Sequence, residues 1–221
     1  TPSSKLIIKD VICNSTRVGF LKILKEKMNA NIKIKNLKKK SGEYVGNIFV
    51  KSSLLQPINF PKKLVASAID EFPLLFIIAS ITKGVCKFSG INELRHKESD
   101  RIKSIEIGLN QIGIKTKSTM NSLKISGNPN IKIGKTLEVF PKNDHRIAMS
   151  YIILGLLLEG RIKIHNCETI NTSFPSFLKL IHKVGGKFEV KHHFGGLEFL
   201  GKAVLELSWG HLRVLLNPFW I

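Results

Sequence analysis

Three stretches of this chain repeat one pattern, so a fold that satisfies the pattern once must satisfy it three times. KLIIKDVICNSTRVGFLKILKEKMNANIKI (5–34), VCKFSGINELRHKESDRIKSIEIGLNQIGIKTK (85–117) and RIKIHNCETINTSFPSFLKLIHKVGGKFEV (161–190) each read as strand, loop, amphipathic helix and short strand. Aligned on the helices, Val18, Ile102 and Phe174 share one position, and Leu21, Ile105 and Phe177 share the next apolar one. That spacing keeps an apolar stripe on one helix face. Ser15, Ser99 and Asn171 stand at a common place ahead of the stripe, and their side chains suit helix N-caps. Asp10, Gly90 and Asn166 are expected to close the three strands.

Strands and helices do not keep the same spacing. From the first unit to the second the helices are offset by 84 residues and the strands by 80; from the second to the third the offsets are 72 and 76. The middle unit therefore carries four extra residues between strand and helix, in the loop that holds Arg95, His96, Lys97 and Glu98. A neutral insertion favours Gly, Ser and Asn. A run of ionisable side chains instead marks a place where function is grafted onto a scaffold.

Between the units lie two further helices, apolar on nearly every side and therefore expected in the core. Asp70-Glu71-Phe72-Pro73 opens the first, with Pro73 suited to a first turn, and Lys83-Gly84 closes it. Asn143-Asp144-His145-Arg146 opens the second, Asp144 as its cap, and its apolar run ends at Leu156–Leu158. A buried helix that starts with charges sets those charges at the rim of the core. Neither apolar run is long and uninterrupted enough to cross a bilayer, and no N-terminal signal pattern is present. The whole pattern predicts an α/β fold of three βαβαββ-like repeats with inner helices that converge. Segments 42–52 and 122–127 are predicted as closing strands, and 135–139 as a strand pairing nearby.

Composition narrows the partners. A formal charge of +19 on 221 residues would by itself point to nucleic acid or an acidic membrane surface. The lysines are scattered, only Lys38–Lys40 form a run, and interleaved aromatics that would stack bases are missing. Neither nucleic acid nor membrane is expected; small anionic substrates are. Cys13, Cys86 and Cys167 are odd in number and far apart, with no C-x-x-C pair, which predicts no disulfide framework, no zinc site and a reducing, cytoplasmic setting.

The chemistry concentrates in NELRHKESDRIKSIEI (92–107), which sets charges of both signs at the mouth of a helix, where unpaired N–H groups and the positive pole lie. Lys97 and Arg101 suit an anion there, and Glu98 is a candidate proton carrier. The plainer reading is a solvated helix start with Ser99 as cap and Glu98 paired to Arg101 three residues on.

KESDR after N-E-L-R, AIDEFP (68–73), NDHRIAMS (143–150), NSTRVGF (14–20) and NTSFPSF (171–177) together resemble the signatures of the enolpyruvyl transferase family, in particular its EPSP synthase (3-phosphoshikimate 1-carboxyvinyltransferase) branch. The resemblance implies an inside-out α/β barrel, incomplete here. Residues 1–190 would be the C-terminal domain of such an enzyme, and 191–221 an atypical tail, either an extra packed helix around Phe199–Leu216 or foreign sequence. It implies transfer of the enolpyruvyl group of phosphoenolpyruvate to shikimate 3-phosphate, with no metal or other cofactor.

Matched residue by residue, Asp70 is the implied proton acceptor and Glu98 the implied proton donor. Lys97 is the contact to the shikimate substrate, Arg101 and Arg146 clamp phosphoenolpyruvate, and His145 matches a histidine of less definite role. The family's other domain supplies a lysine, an arginine and serines to the substrates, so this chain alone is expected to be inactive. Two departures are His96, where an apolar residue is expected, and Thr172, where some members carry lysine. The alternatives are a UDP-N-acetylglucosamine enolpyruvyl transferase-like enzyme and a non-catalytic basic binding module.

Overall fold

Three sheets form, and they share one strand order. In the first, β1 (Lys5–Ile12) and β2 (Asn31–Lys40) flank β3 (Glu43–Lys51). In the second, β4 (Gly84–Ser89) and β5 (Lys115–Thr119) flank β6 (Ser122–Gly127). In the third, β7 (Leu137–Val139) lies parallel to β8 (Arg161–Ile164), and β8 and β9 (Phe188–Lys191) flank β10 (Gly196–Leu200). Each central strand is antiparallel to both flanking strands. The two flanking strands therefore run parallel and need a crossover, which is the repeated amphipathic helix. The computed structural model describes residues 4–183, 186, 188–191 and 196–200.

The crossover helices are α1 (Gly19–Lys27), α3 (Arg101–Gln111) and, in the third unit, the pair α5 (Thr169–Ser173) and α6 (Phe177–Lys183). The split of the third helix has a local cause. Phe174 is extended (φ −145°, ψ 75°) ahead of Pro175, whose ring disfavours helical backbone in the residue before it. The repeated apolar positions all face the core: Val18, Leu21, Ile102, Ile105, Phe174 and Phe177 are buried.

The predicted caps are corrected by the structure. Val18 precedes α1 with no side-chain cap, Asp100 rather than Ser99 caps α3 by accepting from the Lys103 N–H, and Asn171 lies inside α5. Ser99 is buried and its hydroxyl donates to Asp144 instead, 3.1 Å away. Asp10, Gly90 and Asn166 do share a role: all three turn the chain through left-handed backbone, with φ of 56°, 80° and 47°. In the first unit the strand resumes after that kink and runs to Ile12.

Two inner helices join the units. α2 (Phe72–Ser80) and α4 (His145–Leu157) pack on each other, and each also packs on a sheet of the unit it serves. Leu75, Phe76, Ile77, Ile147, Tyr151 and Ile152 are fully buried. Phe72, Phe76 and Phe88 interlock edge to face around α2 and Phe60 packs tilted on Phe72 and Phe88, with centroids 4.8–6.0 Å apart. The βαβαββ order is complete in the third unit, from β7 through α4, β8, the split helix and β9 to β10. In the second unit the leading strand shrinks to a parallel bridge between Asn59 and Lys87.

Phe199 and Leu200, where one of the two readings of the tail starts an extra helix, belong instead to β10; positions 201–216 of that reading lie outside the described residues. Cys13, Cys86 and Cys167 are buried, and none is joined in a disulfide. Among the described residues no helix is long and apolar enough to cross a membrane.

Candidate active site

Three helix starts meet at one point on the rim of the core. The start of α2 follows a 3-10 turn over Ala66–Glu71, so Asp70 and Glu71 sit at its mouth. The start of α4 is capped by Asp144, whose carboxylate accepts from the Arg146 N–H at 3.0 Å and the Ile147 N–H at 3.3 Å. The start of α3 follows the 3-10 turn Asn92–His96 and the short link Lys97–Asp100. Helix N-termini gather positive potential, which suits a site for anions.

Arg101 is the hub. Its side chain is only 1% exposed, yet it reaches three carboxylates from three different segments. Its Nε donates to Asp144 Oδ2 at 2.8 Å, its Nη1 to Asp70 Oδ1 at 3.2 Å, and its Nη2 to Glu98. Burial alone would lower the pKa of this guanidinium; the hydrogen bond and charge of Asp144, with Glu98 and Asp70, more than reverse that and hold it above its ordinary value. The two edges of the fork differ. The inner edge is bound to Asp144, which is 0% exposed, and the outer edge to Asp70 and Glu98, which are 44% and 49% exposed. A ligand carboxylate or phosphate can exchange with the outer partners while the inner one stays in place.

Arg146 completes the rim. Its Nη1 donates to the Asp70 carbonyl at 3.1 Å, and its Nη2 lies 3.7 Å from the Asp70 carboxylate. Glu71, 3.9 Å from Arg146, is buried enough that its carboxyl is pushed up to about 7; the charge of Arg146 pulls against that shift and the charge of Asp70 adds to it. His145 occupies the first turn of α4, half-buried. Burial lowers its pKa, as does Arg146, against the opposite pull of Asp144 and Glu98. A histidine so lowered is a neutral ring at pH 7.

Asp70, Glu98, Arg101 and Arg146, singled out from the sequence, are thus brought together, with His145 beside them. Lys97 turns to Glu93, four residues back, at 2.6 Å. His96 is exposed, which explains how a polar residue fits where an apolar one was expected. The sequence reading missed Glu71 as a member of the cluster and took Asp144 for a cap alone. Both signals were present, since each acid stands within two residues of a chosen one at the same helix start.

The model of the EPSP synthase (3-phosphoshikimate 1-carboxyvinyltransferase) family matches residues 1–181. The 3-phosphoshikimate 1-carboxyvinyltransferase of Carboxydothermus hydrogenoformans is 43% identical over 183 residues, covering 83% of this chain and 42% of the relative. That of Petrotoga mobilis is 41% identical over 184 residues, with the same two shares. The structure of EPSP synthase from Acinetobacter baumannii superposes with a TM-score of 0.77 at 38% identity, over 83% of this chain and 42% of that one. The enolpyruvyl transferase NikO from Streptomyces tendae, at 11% identity and a TM-score of 0.55 over 91% of this chain and 44% of its own, shares the fold. The chain spans about 42% of the length of the curated relatives it matches. With its motifs and its threefold α/β units in agreement, the chain belongs to the EPSP synthase (3-phosphoshikimate 1-carboxyvinyltransferase) family.

Proposed function

We propose that this chain supplies one wall of an active site that transfers the enolpyruvyl group of phosphoenolpyruvate to shikimate 3-phosphate. The observation that carries the reading is the buried Arg101, which draws Asp70 and Glu98 to the same exposed edge with Arg146 beside them. The reaction adds a hydroxyl to C2 of phosphoenolpyruvate while a proton goes to the methylene carbon; phosphate then leaves as the new methyl group gives up a proton. It needs two proton carriers near fixed cations. Asp70 accepts the hydroxyl proton and Glu98 delivers the proton to carbon in the first half. Arg101 and Arg146 hold the carboxylate or phosphate of phosphoenolpyruvate, for which a guanidinium fork is better shaped than an ammonium. Lys97 contacts the shikimate substrate, reached by exchanging Glu93 for a ligand anion, and His145 lines the same mouth.

Family relatives more than twice as long as the match support a companion portion that closes the site from the other side. The chain alone is then inactive, and its location is cytoplasmic. The test is phosphate release from phosphoenolpyruvate with shikimate 3-phosphate, with and without the complementary portion of a relative. Turnover is expected only with both, and Glu98→Gln or Asp70→Asn should lower it by about a hundredfold or more. Rates indifferent to both substitutions, or use of UDP-N-acetylglucosamine as acceptor, would overturn the proposal. Salt-sensitive binding to random DNA without binding of shikimate 3-phosphate would favour a basic binding module.

A further inference from the structure

The lengthened loop of the second unit is gripped from behind, and the grip centres on a residue that no part of the proposed chemistry uses. Arg95 is 13% exposed and spends its whole fork on the protein: Nε donates to the Met120 carbonyl at 3.2 Å, Nη2 to the Thr119 carbonyl at 2.6 Å, and Nη1 to Asp100 at 2.8 Å. Thr119 and Met120 lie at the turn between β5 and β6, which is itself held by a bond between the Thr119 and Ser122 hydroxyls at 2.7 Å. The same turn takes the start of the loop: the Asn121 carbonyl accepts from the Gly90 N–H at 2.9 Å, and the Asn121 side chain accepts from the Asn92 N–H at 3.2 Å. Asp100, at the loop's other end, caps α3 while it holds Arg95.

The loop between Gly90 and Asp100 is therefore fastened to one hairpin turn at its start and in its middle, and Arg95 ties its far end to the same place through Asp100. Lys97 and Glu98, two and three residues past Arg95, are carried on the free side. We propose that Arg95 is a positioning residue: it locks the loop onto the β5–β6 turn and so fixes where Lys97 and Glu98 stand relative to Arg101. This rests on the proposed function for its catalytic consequence, but the locking itself does not. Both carbonyls and the carboxylate need a planar fork with separated donors, so lysine cannot replace it.

The test compares Arg95→Lys and Arg95→Ala with the parent chain by amide hydrogen exchange and, alongside, by turnover of phosphoenolpyruvate and shikimate 3-phosphate with the complementary portion supplied. Both variants should exchange at least about tenfold faster across residues 90–99, because several bonds to charged or carbonyl partners go together. Exchange in α2 and α4 should stay at the parent rate, which shows that the fold is intact. Turnover should fall at least about tenfold in kcat, with KM for phosphoenolpyruvate moved less than about threefold, the mark of misplaced groups in a formed site. Unchanged exchange at 90–99, a rise shared equally by α2 and α4, or full rescue by lysine would overturn the proposal. No turnover by the parent would count against the proposed function, and the exchange rates would still decide the role of Arg95.

Discussion

Removing Asp144 is the sharpest test of how the site is held. Its carboxylate is fully buried and does two jobs, pairing with Arg101 at 2.8 Å and capping α4 through the Arg146 and Ile147 N–H groups. Breaking a buried ion pair by deleting one partner costs about 3–5 kcal/mol, because it leaves a charge without its counterpart. Here Asp70 and Glu98 still face Arg101, so about 3 kcal/mol is the better figure. The cap adds about 1 kcal/mol. Asp144→Asn keeps an oxygen for the cap and should lose about 3 kcal/mol, and Asp144→Ala about 4 kcal/mol. Urea unfolding followed by far-ultraviolet circular dichroism measures both. The double replacement Arg101→Met with Asp144→Leu removes both charges and should cost less than the two single changes combined, with a coupling of about 2 kcal/mol or more. Lys132→Ala serves as a control: its pair with Glu159 is 3.0 Å long but 74% and 50% exposed, and such pairs contribute at most about 1 kcal/mol. A loss below about 1 kcal/mol for Asp144→Asn, or equal losses for Asn and Ala, would refute the two-job account.

Three further outcomes are expected. The Glu71 carboxyl is raised on folding from 4.5 to about 7. The native state then binds its proton more tightly than the unfolded chain, and this residue's contribution to stability falls as pH rises from about 4.5 through about 7. Glu71→Gln should flatten that fall, with a gain of up to about 3 kcal/mol at pH 8 and none near pH 4, read from urea unfolding at each pH. Gly127→Ala places a Cβ 2.1 Å from the Ala79 and Thr82 carbonyls, backbone atoms that cannot step aside, and should destabilise by about 2–3 kcal/mol or more. Tyr151→Phe deletes a buried hydroxyl that donates to the Ile105 carbonyl at 2.9 Å and should cost about 1 kcal/mol by thermal or urea unfolding.

Where the fold was legible, periodicity carried it. The stripe through Val18, Leu21, Ile102, Ile105, Phe174 and Phe177 reports burial directly, and all six are buried. The inner helices were equally plain, because apolar residues on every side leave no place but the core. Caps were not legible. A cap depends on which oxygen reaches the first free N–H groups, and Asp100 does so one residue past Ser99, whose hydroxyl is drawn to Asp144 in another helix. The split of the third helix was signalled by Pro175 and overlooked in favour of the repeat. At the site, motif order located Asp70, Glu98, Arg101 and Arg146, but nothing in one dimension reveals that Arg101 is engulfed by acids from three segments. The role of Arg95 was hidden for the same reason, since two of its three partners lie 24 and 25 residues onward and are carbonyls rather than side chains.

The shared strand order also sets a timetable for synthesis. In every sheet the strand that sits in the centre is the last of its trio to leave the ribosome, so β1 waits for β3, β4 for β6 and β8 for β10. Until that final strand emerges, the two earlier ones have no ladder between them, and each leaves unpaired the edge that the final strand will fill. A nascent chain halted between Lys191 and Gly196 would hold two finished sheets and a third in which β8 has only the short β7 beside it and β9 has no strand to zip against.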